Sequence, residues 1–167
     1  MRRNVLIALN SIYLLFAGVV IGVPLGIGAI VAPVVFRHFG QDKASAGAIV
    51  GRAFEMSGTL SILILSLMLA VAAVEFSYRR RTNTKRLLIV RWVLNLVPLL
   101  VNLYLTESLL PVMNLRQRLG DQRMFMELHG EYRALTWVSI VLCAGLIAIT
   151  QAVNIGPRRD GGHPRQV

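Results

Sequence analysis

The sequence predicts an all-α, four-pass transmembrane helical bundle with both termini in the cytoplasm (N-in/C-in). Two observations predict it. The first is that charge is confined to the edges of long apolar blocks. No charged side chain lies between Arg3 and Arg37, between Glu55 and Glu75, or between Arg133 and Arg158. The remaining block, Leu87 to Leu110, carries only Arg91 and Glu107, each near an end. A bilayer core needs about 20 apolar helical residues, so every block is long enough to span it. The second observation is the asymmetry of a formal net charge of +10. After four passes the termini and the middle loop share one face, and that face holds Arg2, Arg3, Arg79, Arg80, Arg81, Lys85, Arg86, Arg91, Arg158, Arg159 and Arg165. On the opposite face, basic residues from Arg37 to Arg133 are nearly balanced by Asp42, Glu55, Glu107, Asp121, Glu127 and Glu131. Short basic loops remain in the cytoplasm, which sets the orientation in the inner membrane.

The predicted spans cover about residues 5–35, 56–78, 87–110 and 134–155 of one membrane domain, 1–156, and residues 157–167 read as a disordered cytoplasmic tail. In the first span Gly18, Gly22 and Gly26 recur every four residues. That spacing stacks them on one helix face, where a neighbouring backbone can approach closely. Pro24 and Pro33 each remove a helical hydrogen bond, so bends are expected near the middle and the outer end. Over Asp42–Glu55, Ala46, Ile49, Val50, Ala53 and Phe54 recur at helical spacing behind an Asp42 N-cap. This segment reads as a short helix that lies in the outer interface or caps the bundle and runs into span two, Met56–Tyr78. In the third span the helical pattern continues past Pro111 to Leu119, where Gly120–Asp121 supplies a stop and a new N-cap. A further helix runs from Gln122 into span four, which makes a short outer hairpin with Phe125, Leu128, Tyr132 and Leu135 on its inner face.

Composition excludes several classes. The positive charge clusters at membrane boundaries, where anionic lipid and topology account for it, so nucleic acid is not an expected partner. The first apolar block is far longer than the 7–15-residue core of a signal peptide. The single cysteine, Cys143, lies inside the last span without a charged neighbour and reads as a small packing residue. Glu55 and Glu75 stand at opposite ends of one span, too far apart for a carboxylate pair. The sequence therefore predicts neither an enzyme nor a cofactor.

Polar residues inside the spans are the candidates for function, because the bilayer makes them costly. Arg91, Asn95, Asn102 and Thr106 form a stripe on span three, and Thr136, Ser139, Cys143, Thr150 and Asn154 follow a similar rhythm on span four. Both stripes are expected to face the bundle interior, as interhelical hydrogen bonds or as a polar path. Arg91 and Glu107 stand ~24 Å apart along one helix, too far to pair. On the outer hairpin Met113, Met124, Met126 and His129 are soft donors of the kind that suits Cu(I), although methionine on an apolar face is more often packing. His38 falls on the same outer face as His129, but a bis-histidine haem would need both buried.

The order of segments IVAPVVFRHF (30–39), AGAIVGRAFE (46–55), YLTESLLPVMNLRQRL (104–119) and FMELHGEYRAL (125–135) resembles an uncharacterised four-helix membrane family that includes transmembrane protein 205. The likeness covers about Phe16 to Val153, and the matching positions are Ala32, Pro33, Phe36, Gly47, Gly51, Phe54, Pro111 and His129. Many relatives carry Ser and Asn after the last-helix histidine, where this chain has Tyr132 and Arg133. The resemblance implies a membrane bundle without a settled biochemical activity, and a looser similarity to copper-resistance membrane proteins favours metal or solute handling. Taken with the residues themselves, the leading expectation is a small structural or accessory membrane subunit. It would pack against the lipid bilayer and against itself or a larger membrane complex through Gly18, Gly22 and Gly26. The alternative is copper-type metal or small-solute handling at the outer face.

Overall fold

A computed structural model of the chain describes residues 2–78 and 85–155. The basic run 79–84 and the tail 156–167, on which much of the orientation argument and the expected disorder rest, lie outside the described residues. The first span is α1 (Arg2–Gly26), a π-helical turn over Ile27–Val31, and α2 (Ala32–Phe39). The second is α3 (Lys43–Tyr78). The third is α4 (Lys85–Tyr104), a second π-helical turn over Leu105–Leu109, and α5 (Leu110–Arg118); the fourth is α6 (Gln122–Ile155). Four helical stretches are long and apolar enough to cross a membrane: Asn4–Phe39, Lys43–Ser77, Arg86–Arg118 and Gln122–Ala152.

The spans pack in a ring, α1 against α3 and α6, and α4 against α3 and α6. Heptad-like spacing accounts for the seam. Tyr13, Ala17 and Val20 on α1 meet Leu65, Met68 and Ala72 on α3 and Cys143 and Leu146 on α6. The outward face is the telling one. Only 11% of the apolar window of span one is buried within the chain, and no span exceeds 33%. Leu15, Ile30, Leu63, Leu100, Trp137 and Val141 are exposed. Apolar surface on that scale requires a non-aqueous surrounding.

Two tight turns close the hairpin end. Gly40 (φ 54°) follows α2, and Asp42 caps α3 by accepting the Ser45 N–H at 3.0 Å. These hydrogen bonds from Ser45, its side chain first, hold the Asp42 carboxyl below the usual carboxylate range. After α5, Gly120 (φ 72°) sits in a Schellman turn, with Asp121 N–H donating to Arg116 O at 3.1 Å and Gly120 N–H to Gln117 O at 3.2 Å. Asp121 then caps α6 by accepting the Met124 N–H at 3.1 Å.

Two details were not specified by the sequence pattern. Residues 43–55 are not a helix of their own but the first turns of an unbroken α3 of 36 residues. Nothing between Asp42 and Met56 interrupts the backbone ladder, and Gly47 and Gly51 are tolerated because they admit a close neighbour (below). Second, the irregularity in span one lies in a widened turn between the two prolines. Ala32 N–H reaches back to Ile27 O, and in span three Leu110 N–H likewise reaches Leu105 O. Each donor immediately precedes a proline, Pro33 or Pro111, whose ring and missing N–H disfavour a regular turn; the π register accommodates both. Pro24 and Pro98 remain inside regular helix.

Candidate functional site

The most unusual chemistry in the bundle is a charge pair that sequence spacing did not reveal. Arg91, six residues into α4, has no accessible surface, and neither has Glu75, three residues from the end of α3. Arg91 Nη2 is paired with Glu75 Oε2. Arg91 Nη1 donates to Asn10 Oδ1 at 3.0 Å, and the guanidinium lies over the Tyr13 ring, 4.4 Å from its centroid. Asn10 and Tyr13 share one face of α1, being three residues apart. Three spans therefore converge on one cation, and Arg91 reaches across the ring to α1 although the two helices are diagonal.

The physical logic is that of a buried pair. A lone guanidinium in this environment would carry a desolvation penalty of several kcal/mol, and an ionised partner with further hydrogen bonds and an aromatic face offsets it. One turn deeper, Asn95 Nδ2 donates to the Leu65 carbonyl at 3.2 Å, tying α4 to α3. Deeper again, Asn102 Nδ2 donates to Pro98 O and to Ser139 Oγ, both at 2.9 Å, tying α4 to α6. Thr106 at the stripe's end is half-buried, and Thr150 is buried with its hydroxyl on Leu146 O at 2.7 Å. Tyr13 Oη, Arg91 Nε and Asn95 Oδ1 have no hydrogen-bond partner among the described residues. The arrangement is a ladder of polar ties along α4. Glu75, Asn10 and Tyr13 were missed as its members. Proximity to the connection was the available signal, because Glu75 and Arg91 both lie within two helical turns of the α3–α4 connection, and an antiparallel hairpin brings such positions near each other.

The other candidates are placed as follows. A Cβ added at Gly18, Gly22 or Gly26 would meet nothing within 4 Å, so this stripe faces away from the rest of the chain. Met113 is buried while Met126 is 56% exposed. Met124 and Met126 stand ~200° apart around α6, so the soft donors do not share a face. His129 stacks on Phe125 with centroids 5.8 Å apart, and His38 is exposed at the end of α2, edge-on to Phe39. Among the described residues no group of three or more His, Cys, Asp or Glu could hold a metal ion. Cys143 is buried in the core.

Four apolar spans around a polar ladder define a multi-pass helical membrane protein. Residues 15–122 match the family described as Domain of unknown function (DUF4149), and the chain belongs to that family. No curated protein matches it. No solved structure does either.

Proposed function

We propose that this chain is a small, non-enzymatic accessory subunit of the inner membrane. Its termini lie in the cytoplasm, the first turns of α3 lie at the outer interface, and its first span docks on a second copy or on another membrane subunit. The observation that carries the reading is the outward glycine stripe. Span one buries Tyr13, Ala17 and Val20 against its own bundle, while Gly18, Gly22 and Gly26 are left uncovered. Small residues at this spacing let helix backbones approach, and van der Waals packing at such contacts drives association in lipid. The polar ladder supports the same reading, because it ties span one to the other spans and so fixes the face that span one presents outward. The basic residues at the helix ends support the orientation.

The reading is tested by Gly22→Leu, which should lower the assembly size in detergent. A monomeric elution profile for both wild type and variant would overturn it. A reporter fused after Val167 that proved to lie outside the cell would overturn the orientation separately.

A further inference from the structure

At the hairpin end side chains of α5 and of the second π-helical turn reach the glycines of α3. A Cβ at Gly47 would lie 3.0 Å from Gln117 Nε2, one at Gly51 would lie 3.9 Å from Asn114 Oδ1, and one at Gly58 would strike Thr106 Oγ1. Beside this contact the helices leave an open groove of about 440 Å³. Arg52 and Glu55 form its α3 wall. Thr106, Asn114 and Arg118 supply polar groups on the other, with Leu110, Pro111 and Leu115 as its apolar floor. All of these residues fall within the segment 15–122 that defines the family.

The charge in the groove is cationic. Its lining carries two guanidiniums and one carboxylate, and that carboxylate already accepts from Arg52 Nη1 at 2.9 Å. The Arg52 side chain is 72% exposed, so its remaining donors are open to a ligand. Arg118 makes no ion pair among the described residues. A metal cation finds only Glu55 here, whereas an oxyanion finds two forked guanidiniums flanked by a hydroxyl and an amide. Arginine forks match phosphate geometry in two-point contacts.

Depth narrows the chemistry further. Arg52 and Glu55 are the last charged residues before the uncharged run Met56–Val74. That run is ~28 Å of helix, the thickness of one hydrocarbon core. By this measure Arg52 stands at the level of lipid phosphates, and Leu110 and Leu115 supply apolar lining to the same groove. We infer that the α3–α5 groove binds a phosphate group, with the phosphodiester of an anionic lipid as the source its depth favours. This site is separate from the glycine stripe and does not depend on the assembly reading.

The test uses the full chain purified in a neutral maltoside detergent. Equilibrium binding is measured for dioctanoyl phosphatidylglycerol, dioctanoyl phosphatidylcholine and inorganic phosphate. Saturable phosphatidylglycerol binding, weakened about tenfold by Arg118→Gln or Arg52→Gln (about 1.4 kcal/mol), supports the lipid source. Arginine-dependent binding of inorganic phosphate of equal strength supports the site with a free phosphate as its ligand. Glu55→Gln should tighten binding of whichever anion occupies the groove, an effect that a folding defect cannot imitate. Phosphatidylglycerol and phosphate binding that is absent, or that is unchanged in Arg52→Gln/Arg118→Gln, overturns the inference. So does phosphatidylcholine binding as tight as phosphatidylglycerol binding and equally indifferent to both arginines.

Discussion

The buried pair gives the sharpest test of what holds this bundle together. Glu75 and Arg91 are both fully inaccessible, and Arg91 also holds Asn10 and the Tyr13 ring. Replacing one partner leaves the other as an uncompensated charge, which costs about 3–5 kcal/mol. For a chain of this size 1 kcal/mol moves Tm by about 2–4 °C, so Glu75→Leu and Arg91→Met should each melt roughly 6–20 °C below wild type. The double variant removes both charges and keeps most of the volume. Its remaining defect is the loss of a donor to Asn10, worth about 1–3 kcal/mol, so it should recover most of the stability lost in either single variant. Circular dichroism melts of the three variants in detergent complete a double-mutant cycle. As a control, Arg52→Gln breaks an ion pair whose side chains are 72% and 44% exposed, and such a pair contributes little. A double variant whose loss equals the sum of the singles would falsify the claim that Glu75 and Arg91 act as one unit. A drop for Arg52→Gln as large as that for Arg91→Met would show instead that pairing matters irrespective of burial.

Two smaller effects follow from the hairpin end. Gly58→Ala should destabilise by about 1–3 kcal/mol through the clash with Thr106, and the double variant Gly58→Ala/Thr106→Ala should regain most of it; a Gly58→Ala melt identical to wild type removes the proposed close approach. The Asp42 cap should be sensitive to acid, because its folded-state carboxyl titrates below the unfolded value near 3.8. Its contribution is therefore present above that value and disappears as pH falls through the folded one. The difference in helicity between wild type and Asp42→Ala should accordingly close in strong acid, and a difference that persists there contradicts the assignment.

How much of this was legible beforehand depends on the range of the interaction. The spans, the stop at Gly120, and the caps at Asp42 and Asp121 are local, each set by residues within a few positions of one another, and the sequence pattern displays them directly. The inward stripe on α4 is also local, since Arg91, Asn95 and Asn102 need only helical periodicity to share a face. Their partners are not local. Asn10 and Tyr13 looked like ordinary members of an apolar span, and Glu75 looked like one more boundary charge beside a basic loop. Only the ring order of the helices shows which of them reaches Arg91. The π turns before Pro33 and Pro111 were likewise hidden, because a proline announces a disturbance without saying whether the helix bends, breaks or widens.

The glycines show the same limit from the other side. Gly18, Gly22 and Gly26 have the spacing of a packing face, yet the structure leaves that face uncovered, while the less regular set Gly47, Gly51 and Gly58 makes the close contact within the chain. Spacing thus marks a backbone as approachable without naming the helix that approaches it. In α3 the approach is required, because the Thr106 hydroxyl already occupies the space a side chain at Gly58 would need. In α1 no internal contact requires it, and three bare glycines on an exposed helix cost about 1 kcal/mol each relative to alanine. That cost has no offset among the described residues, and this imbalance is the physical motive for proposing that a second helix packs on the stripe, where Gly22→Leu tests it.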